Sequence, residues 1–90
     1  MNELQLTIAR ITQMELYLEQ VQKAISKDFT PQSLASVQEA LFALTDYFEH
    51  GLWLSDYEKD ERGELPSDLK RGVLSQDTLY NLLQEIEEML

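Results

Sequence analysis

The sequence contains no cysteine and a single histidine. Without thiols, the chain forms no disulfide and offers no thiol nucleophile or thiolate ligand. One histidine also excludes a zinc site built from several histidines of the same chain. We therefore expect no metal or other cofactor. A chain of 90 residues has a small core, and small domains without cross-links often gain stability by oligomerisation.

Basic residues are scarce, with 7 lysines and arginines against 17 acidic residues and a net charge of −10. Such a surface repels phosphate, so we expect binding neither to nucleic acid nor to an anionic membrane. No stretch approaches the ~20 apolar residues of a membrane span. The first residues, MNELQLTIAR, also lack the basic and apolar regions of a secretory signal. These features predict a cytoplasmic protein.

Glycine and proline are absent from the first 27 residues, which predicts one long helix over residues 2–28. Its apolar residues recur with the heptad spacing of a coiled-coil seam, interrupted at Thr7. The seam residues are Leu4, Ile11, Met14, Leu18, Val21 and Ile25.

A second helix is predicted over residues 31–50. Thr30 suits the N-cap and Pro31 the first helical position, while Phe29 and Leu34 have the spacing of a hydrophobic staple. Gly51 suits the C-terminal end. The apolar stripe comprises Leu34, Val37, Leu41, Leu44 and Phe48. Because the connection is short, the first two helices should form an antiparallel hairpin.

Residues 52–74 read as a linker with short helices. Ser55 and Glu58 have the spacing of a capping box, which predicts a helix over residues 56–62 that Gly63 ends. A further helical turn is expected between Pro66 and Gly72.

Ser75 is the expected N-cap of a third helix over residues 76–90. Its apolar stripe comprises Leu79, Leu82, Leu83, Ile86, Met89 and Leu90.

The predicted fold is therefore all-α: a long antiparallel hairpin, a linker that wraps over one end, and a C-terminal helix packed along it. The seam of the first helix is longer than the third helix can cover, which predicts a homodimer. Alternatively, linker and third helix together cover the seam of a monomer.

The linker carries a dense motif, WLSDYEKDERGELPSDLKRGVLSQDTLYNLL. It closely resembles a family of short bacterial proteins catalogued as domain-of-unknown-function family 4298. The resemblance runs from about Tyr47 to Leu83, with departures at Gln76, where an acidic residue is expected, and in the segment FEHGL ahead of Trp53. It implies an all-helical bacterial protein of the cytosol, and it implies no activity, substrate or catalytic residue.

Alternating carboxylates in the motif raise the possibility of a calcium loop. A twelve-residue loop that begins at Asp56 places Glu61 where the turn glycine belongs. A loop that begins at Glu58 places Gly63 correctly but puts Arg62 on a ligand position. The spacing therefore favours an exposed helix with local ion pairs, such as Glu58 with Arg62.

Four of the seven basic residues, Lys59, Arg62, Lys70 and Arg71, fall within thirteen positions. Lys70 and Arg71 suit a carboxylate or phosphate ligand. Equally, they suit a helix C-terminus, with Arg71 paired to Asp56 or Asp60. His50 lacks a second catalytic group nearby in sequence, and its place near a helix end is explained by the dipole.

The sequence favours a non-catalytic, acidic helical module that binds another protein. The alternative is a small-ligand or divalent-metal site in the 53–77 loop, where aromatic residues either line a pocket or cover the core. A weaker alternative is an inhibitor that mimics nucleic acid. The candidate ligand or partner residues are Trp53, Asp56, Tyr57, Asp60, Lys70, Arg71 and Tyr80.

Overall fold

The structure, a computed structural model, describes residues 2–27 and 31–89. These residues form α-helices and one short 3-10 helix at Gly72–Leu74, and they contain no strand. The α-helices are α1 (Glu3–Lys27), α2 (Pro31–Ser36), α3 (Gln38–Glu49), α4 (Leu52–Glu61) and α5 (Gln76–Met89). The predicted all-α class is confirmed.

The first helix sets the length of the molecule. The 25 residues of α1 span about 38 Å at 1.5 Å per residue, and the longest extent of the protein is 39 Å. Ile11, Leu18 and Val21 are buried on one face of α1, and they belong to the same core cluster as Leu44 and Tyr47 of α3. The predicted seam of the first helix is thus its core face.

The predicted continuous helix over residues 31–50 is interrupted. Val37 has φ −118° and ψ 20°, outside the helical region, and separates α2 from α3. The Val37 carbonyl accepts a hydrogen bond from the Leu41 backbone N–H at 2.9 Å, so α3 begins from Val37 as a new helix. The predicted cap at Thr30 and the contact between Phe29 and the Leu34 side chain lie outside the described residues.

The predicted start of the linker helix after Ser55 is wrong. Gly51 adopts the left-handed conformation at φ 88°, which glycine reaches without the steric cost of a Cβ. The chain reverses there, and α4 starts at once at Leu52. Ser55 therefore lies in the first turn of α4, where its backbone N–H bonds the Gly51 carbonyl at 3.1 Å.

The end of α4 agrees with the prediction, because Gly63 follows it at φ 72°. The expected helical turn ending at Gly72 is wrong in position. Pro66 and Leu69 form a turn, with the Leu69 N–H 3.3 Å from the Pro66 carbonyl. Gly72 instead begins the 3-10 helix, whose Val73 and Leu74 side chains are buried.

The last helix, α5, buries Leu79, Leu82 and Ile86. Its side chains line surface clefts with both α1 and α3. The Ser75 hydroxyl lies 3.4 Å from the Thr78 backbone N–H, as expected for an N-cap, although the bond is long. The start at Gln76 agrees with the predicted boundary.

Apart from Leu4, which is 43 % exposed, the seam of α1 is covered within the chain. Thr7, Ile11, Leu18 and Val21 are all buried. Besides α3, the linker covers this side of α1, since Lys59 contacts Thr7 and Val73 contacts Glu15. An uncovered seam therefore no longer supports the homodimer, whose existence stays a prediction.

Replacing Gly51 by alanine should lower the free energy of unfolding by about 1 kcal/mol, because the left-handed backbone disfavours a Cβ. No atom lies within 4 Å of a Cβ built at this position, so conformation alone causes the loss. Urea denaturation measures it. Gly51→Asn should lose less, since asparagine tolerates this conformation. Equal stability of the wild type and Gly51→Ala would contradict the explanation.

Candidate functional site

Trp53 ties α4 to the 3-10 helix. Its indole Nε1 donates a hydrogen bond of 2.9 Å to the Val73 carbonyl. The ring stacks on Tyr57 with centroids 5.1 Å apart and meets Phe48 edge-on at 5.3 Å. Because the indole is 6 % exposed and its N–H is satisfied, Trp53 closes the end of the core.

Asp56 is the buried polar centre of the linker, with no exposed surface. Arg10 of α1 binds both of its oxygens, with Nε 2.9 Å from Oδ2 and Nη2 2.6 Å from Oδ1. Tyr47 of α3 donates its hydroxyl to Oδ2 at 2.8 Å. One carboxylate thus joins three helices.

The surroundings of Asp56 keep both of its donors protonated. Burial raises the pKa of Tyr47 far above its usual range, and the hydrogen bond to Asp56 adds to the rise. The same carboxylate raises the pKa of Arg10, chiefly through its hydrogen bond. A proton donor held this firmly is suited to structure rather than to proton transfer near neutral pH.

Arg71 closes the loop that follows α4. Its guanidinium bonds to the Asp60 carboxylate and to the Pro66 carbonyl, and its Nε lies 3.2 Å from the Leu69 carbonyl. Asp60 is one of the two partners that the sequence offers for Arg71; the other, Asp56, is occupied by Arg10. The Arg71 charge is therefore neutralised by Asp60 of α4.

Side chains of α1 hold the linker in place at two further points. Glu15 accepts the Val73 backbone N–H at 2.8 Å, and a Cβ on Gly72 would lie 3.1 Å from its other oxygen. The Lys59 ammonium lies 3.1 Å from both Glu3 and Thr7. The contact with Lys59 explains why Thr7, the polar residue that interrupts the seam, is buried.

The seven candidate residues do not form one pocket. Lys70 is exposed, with its ammonium 3.7 Å from Glu19. Tyr80 is half-exposed on α5, where it lines a surface cleft with Phe48. Tyr57 lies above Trp53, and its pKa is raised mainly by the nearby charge of Glu61.

Sequence reasoning missed Arg10, Glu15 and Tyr47. Each contacts a residue at least nine positions away, so no local pattern pairs them. One usable signal was the position of Asp56, which shares the apolar face of α4 with Trp53. A carboxylate on a buried face requires a cation or donor from another element.

The buried polar side-chain atoms of the described residues are all paired. Every buried side-chain nitrogen or oxygen in residues 2–27 and 31–89 with a described side chain has a hydrogen-bond partner. The same part of the chain brings no three His, Asp or Glu side chains into an arrangement for a metal. The buried network of the linker is complete without a ligand.

Arg10→Ala should lower the free energy of unfolding by about 3–5 kcal/mol, because it leaves Asp56 buried without its counter-charge. Thermal and urea denaturation measure the loss. Arg62→Ala is the matched control, since its pair with Glu64 is exposed and its removal should change stability little. Similar effects of the two substitutions would contradict a structural role for the buried pair.

Replacement by alanine should affect the stability of the protein differently at the neighbouring residues Lys70 and Arg71. Arg71→Ala should cost about 1–2 kcal/mol of stability, since it removes hydrogen bonds of a charged group to the loop. Lys70→Ala should leave the melting temperature unchanged because the side chain is 80 % exposed. If Arg71→Ala melted like the wild type, Arg71 would be free for a ligand and the loop site would regain support.

Comparison with known proteins identifies the family. Residues 8–90 match the family model described as Domain of unknown function (DUF4298). No curated protein and no solved structure matches the chain. Among the described residues, no helix combines the length and apolar character that crossing a membrane requires. Since the match covers nearly the whole sequence, the chain belongs to the DUF4298 family.

Proposed function

We propose that this protein is a non-catalytic module of the bacterial cytoplasm that binds a basic amphipathic helix of a partner protein. The proposed binding surface is the groove between α3 and α5. The observation that carries the proposal is the charge of these two helices. They hold seven of the 17 acidic residues and no lysine or arginine.

The groove consists of two adjoining clefts that share Glu49, Leu83 and Glu87, and we call it the α3–α5 groove. The larger cleft has a volume of about 300 Å³, and the smaller of about 190 Å³. Together they are lined by Leu41, Thr45, Phe48, Glu49, Tyr80, Leu83, Gln84, Ile86 and Glu87. The lining is mixed: aliphatic and aromatic side chains alternate with Thr45, Gln84 and the two carboxylates.

The negative charge of the molecule is concentrated on the two helices that form this groove, and Glu49 and Glu87 line the groove itself. The three acidic residues of α1 are balanced by Arg10, Lys23 and Lys27. The seven acids of α3 and α5 have no such balance, so these two helices supply most of the net charge of −10. A cleft lined by charges of one sign attracts the opposite sign and speeds association.

A basic amphipathic helix fits this chemistry. Apolar anchors at three- and four-residue spacing would occupy the floor formed by Leu41, Leu83 and Ile86. Lysine or arginine side chains on the flanks of the helix would reach Glu49 and Glu87. Tyr80 adds an exposed aromatic ring, a residue type enriched where binding energy is concentrated.

The linker supports the two alternatives less well. Asp56 has no exposed surface and Arg71 is engaged with Asp60, which leaves a small ligand few free polar groups. A mimic of nucleic acid requires carboxylates that act without apolar anchors, whereas the acids here border an apolar groove. Binding of an amphipathic helix would depend on the apolar floor of the groove, whereas mimicry of nucleic acid would depend on the carboxylates alone.

The test uses a fluorescent model peptide of about 18 residues, or five helical turns, with leucines on one face and lysines on the other. Fluorescence anisotropy should report binding that weakens as salt rises. A peptide of the same composition without helical periodicity should bind more weakly. Equal binding of both peptides would overturn the groove and favour charge mimicry, and absence of binding would overturn both.

Charge reversal locates the binding surface. Glu49→Lys/Glu87→Lys should weaken binding of the model peptide by about tenfold or more, because charges on the rim control association. Glu58→Lys/Asp68→Lys is the matched control: it changes the net charge equally, and both residues are exposed outside the groove. Equal loss in both variants would show that net charge alone drives binding.

A further inference from the structure

We propose that the protein forms an antiparallel homodimer through the outward face of α1. This face carries a stripe of exposed residues: Leu6, Ala9, Gln13, Leu16 and Gln20. We call it the outer stripe. It differs from the seam that the sequence predicted as an interface, which is buried within the chain.

The outer stripe has the geometry of a second coiled-coil seam. Its members are spaced by three and four residues alternately, so they line one side of α1. At about 100° per residue the stripe lies on the side of α1 away from Ile11 and Leu18. Leu6 and Leu16 are 52 % and 49 % exposed, and no member is charged.

The order of the residues along the stripe is self-complementary when α1 meets a second α1 in the opposite direction. Leu6 then lies against Leu16 of the second copy, and Leu16 against Leu6. Ala9 lies against Gln13, a small residue against a larger one, and the reverse holds at the symmetry-related position. A two-fold axis requires each contact to occur twice in this manner.

Electrostatics also favours α1 as the interface between copies. Two chains of net charge −10 repel each other, and the repulsion is smallest where the facing surfaces are neutral. The charges of α1 balance, and its outer stripe is uncharged between Leu6 and Gln20. Since α3 packs on the core side of α1, this pairing keeps the acidic α3 on the far side of α1 from the second copy.

The dimer and the α3–α5 groove respond to salt in opposite directions. Salt screens the repulsion between like-charged copies, so dimerisation should strengthen as salt rises. Binding of a basic helix weakens under the same conditions. The two proposals use different surfaces, and the failure of one leaves the other intact.

Sedimentation equilibrium over a range of protein concentrations tests the dimer. The wild type should approach the mass of two chains at high concentration and high salt. Leu16→Glu should weaken dimerisation by about a hundredfold, because each dimer loses two leucines and each costs roughly tenfold. Leu54→Glu is the matched control: Leu54 is an equally exposed leucine on α4, outside the stripe.

The antiparallel register has its own test. In Leu6→Glu/Leu16→Lys, the glutamate of each copy would face the lysine of the other, so dimerisation should be weakened less than in Leu6→Glu/Leu16→Glu, although both variants lose the same leucines. In Leu6→Glu/Leu16→Glu, four acids would meet and the dimer should dissociate. Circular dichroism should show unchanged helix content in both variants, because the replaced side chains are exposed.

Three results would overturn the proposal. A wild type that stays at the mass of one chain at high concentration and high salt excludes the dimer. Equal effects of Leu16→Glu and Leu54→Glu exclude the outer stripe. Dissociation of Leu6→Glu/Leu16→Lys to the same extent as the double glutamate variant excludes the antiparallel register.

Discussion

The buried carboxylate of Asp56 is the constraint on which the arrangement of the helices depends. A charge without exposed surface is tolerated when it is paired and hydrogen-bonded, and here the partners come from two other helices. Arg10 and Tyr47 are both in place when α1, α3 and α4 pack in one geometry. Apolar side chains in contact tolerate small shifts between helices. A shift at Asp56 would instead lengthen hydrogen bonds to a buried charge, which costs free energy. An arrangement that separates Arg10 from Asp56 leaves a buried charge without its partner, so such arrangements of the three helices are disfavoured.

Much of the linker motif serves the same purpose of fixing how the linker, which includes α4, packs on α1 and α3. Trp53 fixes the 3-10 helix, Arg71 closes the loop onto α4, and Glu15 holds Val73 against α1. Most charges of this segment are therefore engaged in ion pairs: Asp56, Lys59 and Lys70 pair with α1, and Arg62 and Arg71 pair with acids of the segment itself. That result directs the search for function away from the loop and towards the outer faces of the helices.

Periodicity and capping patterns in the sequence predicted the structural features that depend on residues close to one another in the chain. The heptad of α1, the start of α5 at Gln76 and the stop at Gly63 followed from periodicity and capping. The break at Val37 and the early start of α4 did not, since both depend on backbone conformations that the surrounding packing selects. The pairing of Arg10 with Asp56 spans 46 positions, beyond the reach of any spacing rule. For the candidate residues, the sequence identified the charged linker segment, but it did not show which of their side chains are buried or paired and which are exposed to solvent.

The placement of the basic residues connects the fold to the proposed surfaces. Among the residues with described side chains, Arg10, Lys59, Arg62, Lys70 and Arg71 form ion pairs, and their partners lie on α1, α4 or the loop after α4. No lysine or arginine lies on α3 or α5. The carboxylates of the α3–α5 groove therefore have no lysine or arginine on their own helices to offset their charge. The acidic residues of α1 are matched in number by its basic residues, which makes this helix the face along which two acidic molecules repel each other least.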